Sequence, residues 1–174
     1  MSELFRRARA DELDSVIDFY TVVIDSLAGK AHHPAWSLEK YPTVADLRSF
    51  IAAGATYIFE RDGEIAGVVN LDSNFPPDYA RVPWGIDVDS SAALGVHTFA
   101  VSPHLQGRGI GHRFIAAIID HARKAGYQAV RLDVYPINQP ARHFYKSCGF
   151  DYRGQHRIAY PDVTENFYLY EYLL

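Results

Sequence analysis

Residues 101–114, Val-Ser-Pro-His-Leu-Gln-Gly-Arg-Gly-Ile-Gly-His-Arg-Phe, restrict the fold more than any other stretch of this chain. They join a strand-like run, Leu94–Val101, to the clearest amphipathic helix, Ile110–Lys124. On that helix Ile110, Phe114, Ile115, Ile118, Ile119 and Ala122 share one face, and Gly126 stops it. A tight connection needs one glycine. Gly107, Gly109 and Gly111 together carry an entropic cost that a plain turn does not explain. Glycines at a strand-to-helix junction let main-chain N–H groups approach a ligand, and the helix N-terminus adds partial positive charge. The combination is an anion site, most often for phosphate. A further strand-like run at Ala129–Tyr135 completes a β-α-β crossover, which requires a parallel pair.

The rest of the chain supplies more of a sheet and its helices. In Asp11–Leu27 the residues Leu13, Val16, Ile17, Tyr20, Ile24 and Leu27 form one helical stripe, with Asp11 and Asp14 placed as N-cap and N3. Gly29–Trp36 breaks the pattern. Thr43-x-x-Asp46 then caps a short helix carrying Leu47, Phe50 and Ile51, and Gly54 ends it. Thr56–Glu60 and Ile65–Leu71 read as a hairpin around Arg61-Asp62-Gly63-Glu64. Residues 72–93 are Pro- and Asp-rich and irregular. Asn138 caps a helix with Pro140 in its first turn and Gly149 at its end, and Phe150–Ile158 and Asn166–Leu173 are closing strands. The expected order is α-α-β-β-β-α-β-α-β-β, an α/β chain with a mixed sheet (the α+β region) in one domain over residues 1–174.

Charge and cysteine usage exclude several classes. The net charge of −4 lacks the basic footprint of a nucleic-acid binder. The single cysteine, Cys148, allows no internal disulfide and no CxxC motif. No histidine pair has metal-ligand spacing, so no metal is expected. Residues 1–11 are polar and arginine-rich without the apolar run of a secretory signal. No segment reaches the ~18 apolar residues of a membrane helix. The expected location is the cytoplasm, with no membrane partner.

Three kinds of phosphate loop compete for the glycine turn. GxxxxGK[ST] is absent. GxGxxG fails, because His112 or Phe114 falls at the third glycine. Asp133, placed roughly where a ribose-binding acid would lie, is then a decoy. The pattern that fits is Q-x-x-G-x-G, as Gln106-Gly107-Arg108-Gly109-Ile110-Gly111, after a strand. One strand further on comes Asn138-x-x-Ala141-x-x-Phe144-Tyr145-x-x-x-Gly149-Phe150. The two motifs, in this order and on these elements, resemble those of the GNAT acetyltransferases, and the element order is similar over nearly the whole chain.

That resemblance implies a GNAT-type fold and acetyl-CoA as cofactor. It implies that the amides of Arg108, Gly109, Ile110, Gly111 and His112 cradle the pyrophosphate, with Gln106 and Gly107 in the same turn. Phe99, Ala100 and Val101 match the strand that pairs with the pantetheine arm. Asn138 and Ala141 match positions beside that arm. Tyr145 matches the acid for the departing thiolate, and a phenol with pKa near ~10 keeps its proton at neutral pH. Gly95 removes one position at which the family often carries a carboxylate base. His97, on the same face by alternation, is the remaining base, against a buried structural role. The implied function is acetyl-CoA-dependent N-acetyl transfer to a primary amine of a small molecule or peptide. The alternatives are a non-catalytic acyl-CoA-binding module and, from another class, a nucleotide-dependent oxidoreductase. Cys148 reads as packing. The acceptor region corresponds to His32–Trp36, Tyr79–Trp84 and Tyr160–Phe167, rich in aromatics. The aromatic last strand, Phe167–Tyr172, is a candidate surface for a homodimer.

Overall fold

A computed structural model describes residues 2–174. The strands are β1 (Glu3–Arg7), β2 (Thr56–Arg61), β3 (Glu64–Asp72), β4 (Ala93–Val101), β5 (Ala129–Val134), β6 (Asp151–Ala159) and β7 (Thr164–Leu173). The helices are α1 (Leu13–Leu27), α2 (Val44–Ala52), α3 (Ile110–Lys124) and α4 (Gln139–Ser147). The strand order is β1-β2-β3-β4-β5-β7-β6, so the mixed α/β class expected from sequence holds. The chain forms two compact units. One contains the chain up to Gly29, Trp36–Leu71 and His97–Ala117, and the other Lys30–Ala35, Asp72–Val96 and Ile118–Leu174.

In the first unit the antiparallel strands β1, β2 and β3 adjoin the second half of β4. The expected order lacked β1. Its Glu-Leu-Phe-Arg-Arg sequence has no apolar alternation, and it is a strand because it pairs along β2 from Glu3↔Arg61 to Arg7↔Tyr57. Helix α1 also starts later than its caps suggested. Ala10–Glu12 is a 3₁₀ turn, and Glu12 rather than Asp14 reaches back, accepting from the Arg9 N–H at 2.7 Å. The buried face of α1 is Val16, Phe19, Tyr20 and Val23, packed with Leu47 and Ile51 of α2 and with Ile58, Val68 and Ala100. Leu13, Ile17, Ile24 and Leu27 flank that face half-buried. The Thr43 box is present, with Asp46 N–H donating to Oγ1 at 3.1 Å and Thr43 N–H to Asp46 at 2.8 Å. The β2–β3 turn places Asp62 and Gly63 at φ +50° and +85°, the two positive values a type I′ turn requires.

In the second unit the first part of β4 pairs in parallel with β5 over three rungs, Ala93↔Ala129 to Gly95↔Arg131. β5 pairs with β7 and β7 with β6, both antiparallel. β7 is therefore paired on both sides from Tyr168 to Glu171. Tyr79, Val82, Ile158, Phe167 and Leu169 form a core in this unit. Glu171 of β7 is fully buried and is compensated by Arg131 at 3.0 Å, Arg153 at 3.0 Å and the Gly85 N–H at 2.6 Å.

Candidate active site

The glycine turn belongs to the first unit. Strand β4 ends at Val101, Pro103–Leu105 makes one 3₁₀ turn, and α3 starts at Ile110. Gly107 and Gly109 have φ of +75° and +74°, a region where side chains bearing a Cβ are strained. A Cβ at Gly107 would meet nothing within 4 Å, so the demand there is conformational and the surface is open. At Gly109 a Cβ would lie 3.1 Å from Arg113 Nη1. Gln106 to Gly109 and His112 are exposed, whereas Ile110 is buried and roots the helix. Among the described residues, no main-chain carbonyl accepts from the N–H groups of Gly107, Arg108, Gly109, Ile110 or Gly111. Open amides at the head of a helix, beside Arg108 and Arg113, suit a diphosphate.

Upstream of that turn, β4 carries a local distortion that sequence periodicity did not reveal. Thr98 has φ +49°, a genuine outlier for a β-branched residue in a strand. A buried polar chain surrounds it. The Tyr20 hydroxyl donates to the Thr98 carbonyl at 2.7 Å and lies 3.1 Å from its Oγ1. Asn70 Nδ2 donates to Thr98 Oγ1 at 2.6 Å, and Thr56 Oγ1 donates to Asn70 Oδ1 at 2.7 Å. His97, Phe99 and Val101 remain half-buried while Thr98 and Ala100 are buried, so the expected alternation continues past the distortion. The Phe99 ring packs 4.9 Å from Phe114. The Cβ-free Gly67 makes room for Phe114, since a Cβ there would lie 2.6 Å from that ring.

In the second unit Asn138 caps α4, its Oδ1 accepting from the Ala141 N–H at 3.2 Å. That cap uses the amide oxygen, and Nδ2 is the donor end of the same side chain. Tyr145 is buried between Phe144, Phe150 and Tyr170, with ring centroids at 5.2, 5.6 and 6.4 Å. Burial, then Cys148 and Asp133, push its hydroxyl pKa well above the ordinary phenol value. Burial also pushes the Cys148 thiol up, which disfavours the thiolate a nucleophile needs.

Tyr79 and Tyr160 both donate to Asp133 Oδ2, the former at 2.6 Å. Asp133 thus holds two phenols, and no spacing signal foretells this, because the pairs are 54 and 27 positions apart. A shallow depression lined by Asp87, Asp89, Ser91 and Gln128 contains none of the expected site residues. Among the described residues no cluster of three or more His, Cys, Asp or Glu side chains is placed to hold a metal. No described helix is long and apolar enough to cross a membrane.

With this geometry in hand, comparison with known proteins defines the class. The acetyltransferase (GNAT) family model matches residues 21–150. The chain belongs to that family and is by class an N-acetyltransferase. It is 28% identical over 126 residues to the uncharacterised N-acetyltransferase YesJ of Bacillus subtilis, covering 72% of this chain and 69% of that one. A GNAT-family acetyltransferase of Streptococcus agalactiae superposes with a TM-score of 0.83 at 20% identity, over 99% of this chain and 95% of that one. YncA of Salmonella typhimurium, solved with its cofactor acetyl-CoA, has a TM-score of 0.68 at 15% identity, over 99% of this chain and 94% of that one.

Proposed function

We propose that the chain acts as a single cytoplasmic domain, residues 1–174, that transfers the acetyl group of acetyl-CoA directly to a primary amine of a small molecule or peptide. The observation that carries this reading is the exposed glycine turn, with its open amides at the head of α3, inside the family match. Acetyl-CoA, when bound, supplies an activated thioester. The amides of Arg108 to His112 would hold its diphosphate, with Arg108 adding charge and Gln106 and Gly107 in the same turn. The main chain of Phe99, Ala100 and Val101 would bind the extended arm, with Asn138 and Ala141 beside it.

His97 takes the proton of the attacking amine, directly or through water. Tyr145 would donate a hydrogen bond to the departing sulfur. Its raised pKa makes it a poor full proton donor but a phenol that stays protonated over the whole working range, so it stabilises thiolate charge by hydrogen bonding. The chemistry would close with the C–S bond broken, an amide formed on the acceptor, and the proton taken up by His97 passed through water to the departing thiolate, which leaves as the thiol.

Calorimetric titration of acetyl-CoA into wild type and Gly109→Trp tests the reading. The expected result is binding to wild type and a large loss in the variant, with both proteins folded by circular dichroism. A folded wild type that ignores acetyl-CoA refutes the cofactor assignment. Tight binding without turnover across an amine panel refutes the enzymatic one and leaves an acyl-CoA-binding module.

A further inference from the structure

Within the first unit, Glu3 of β1 and Arg113 of α3 form an ion pair beside the glycine turn. Arg113 Nε donates to Glu3 Oε1 at 2.8 Å, across 110 positions of the chain. The pairing follows from how β1 meets α3. Glu3 and Phe5 share one face of β1 by alternation, and the Phe5 ring lies 6.0 Å from that of Phe114, the neighbour of Arg113. Just before Glu3, the Ser2 N–H donates to Asp62 Oδ1 and the Asp62 N–H to the Ser2 carbonyl, each at 2.9 Å. These bonds tie the start of β1 to the β2–β3 turn.

The other end of the guanidinium reaches the glycine turn itself. Arg113 Nη1 donates to the Arg108 carbonyl at 3.3 Å, and the Arg113 main-chain N–H donates to the Gly109 carbonyl at 3.2 Å. One residue thus holds two successive carbonyls of the turn. The peptide joining Arg108 to Gly109 is trans, so its C=O and N–H point in opposite directions. With the Arg108 oxygen drawn toward Arg113, the Gly109 N–H is turned to the far side, where no described main-chain carbonyl accepts from it. Gly109 leaves room for this, since a Cβ there would lie 3.1 Å from Arg113 Nη1. The Glu3 carboxylate matches the Arg113 charge, so Arg113 offers the turn geometry more than charge. The two side chains are 27% and 43% exposed, and an ion pair so open to water adds little to stability.

We infer that Glu3 and Arg113 are positioning residues that fix the Arg108–Gly109 peptide, so that the Gly109 N–H faces the diphosphate before it arrives. This role rests on the acetyl-CoA reading above. Neither side chain has to touch the ligand, because an amide oriented in advance lowers the ordering cost of binding. The sign of the Glu3 effect is the distinctive consequence. A carboxylate near a diphosphate repels it, so a role through charge alone makes loss of Glu3 tighten binding. A role through position makes the same loss weaken it.

The test titrates acetyl-CoA and S-acetylpantetheine, which lacks the diphosphate, calorimetrically into wild type, Glu3→Ala, Arg113→Ala and the double variant, each checked for folding by circular dichroism. Acetyl-CoA is expected to bind about threefold more weakly to Glu3→Ala and about tenfold more weakly to Arg113→Ala. The double variant is expected to match Arg113→Ala, because Glu3 acts through Arg113. S-acetylpantetheine is expected to bind all four proteins alike. Unchanged or tighter acetyl-CoA binding in Glu3→Ala overturns the inference. So does a double variant whose loss is the product of the two single losses, and so does an equal loss of S-acetylpantetheine affinity, which marks general damage. If Glu3→Ala does not fold, Glu3→Gln carries the same test of sign. Its neutral oxygen holds Arg113 more weakly, and acetyl-CoA binding is expected to weaken about twofold. A wild type that ignores acetyl-CoA overturns the cofactor reading and this role together. A wild type that binds it, with Glu3→Ala at or above wild-type affinity, overturns this role alone.

Discussion

Replacing Tyr20 by Phe removes one oxygen from the buried chain that surrounds Thr98. Tyr20 is 0% exposed, and its hydroxyl is a donor to the Thr98 carbonyl at 2.7 Å. Losing the bond forfeits about 1 kcal/mol of net hydrogen-bond stability, and leaving the buried carbonyl unsatisfied costs about 1–3 kcal/mol. Thr98 at φ +49° carries about 1–2 kcal/mol of backbone strain, which the polar chain holds in place. Partial relaxation of that strain in the variant offsets part of the loss. The expected destabilisation is about 2 kcal/mol, measured as a shift of the urea midpoint at unchanged slope. For a chain of this length that corresponds to roughly 4–8 °C in Tm. Phe99, Ala100 and Val101 directly follow the distortion, so acetyl-CoA affinity should fall a few-fold in the same variant. A stability loss below about 0.5 kcal/mol refutes the idea that this network holds the strand in its strained form. A full stability loss with unchanged affinity refutes the link from Thr98 to acetyl-CoA binding by Phe99–Val101.

Other perturbations test separate parts of the molecule. Gly67→Ala places a Cβ 2.6 Å from Phe114 Cε1 and 3.0 Å from the Ala100 carbonyl oxygen, so it should cost about 1–3 kcal/mol in urea unfolding, partly rescued by Phe114→Leu. The Glu12 carboxyl is held down to about 2, chiefly by the hydrogen bond from Arg6 with further help from the Arg9 N–H. A folded-state pKa below the unfolded one stabilises fully above the usual carboxylate range, and this contribution disappears as pH falls toward 2. Glu12→Gln should therefore lie about 2–3 kcal/mol below wild type at neutral pH, with the gap closing on acidification in parallel urea titrations. If the gap does not change with pH, Glu12 contributes through packing and not charge. Tyr145→Phe should lower kcat about 10- to 100-fold with little change in the KM for acetyl-CoA. Because Tyr145 titrates well above its ordinary value, wild-type kcat should show no basic limb from it up to about pH 10, and such a limb that vanishes in Tyr145→Phe would contradict the buried phenol.

Much of the architecture is encoded locally. The α3 stripe, the Thr43–Asp46 box, the Asp62-Gly63 turn and the Asn138 cap each consist of residues within a few positions of one another. Their hydrogen bonds and φ values are decided by neighbours in the chain. The glycine turn is legible for the same reason, since glycines followed by an amphipathic run are a local arrangement of open amides and a helix end. Strand β1 was not legible, because its five residues have no pattern apart from their partner β2. The late start of α1 was hidden too, because Glu12 is used by Arg6 as well as by its own helix end.

The motifs of residues 94–150 and their order therefore determine the family and the place of the glycine turn from sequence alone. Tertiary structure decides the rest. It turns Thr98 out of extended geometry through Tyr20 and Asn70, 78 and 28 positions away, and it raises the Tyr145 pKa by burying the hydroxyl. It also makes Asp133 a carboxylate ringed by phenols and not a ribose ligand. The physical reason is range. Caps, turns and periodicity act over one helical turn or one hairpin, whereas desolvation, strain and charge placement depend on which distant side chains the sheet and its loops bring into contact.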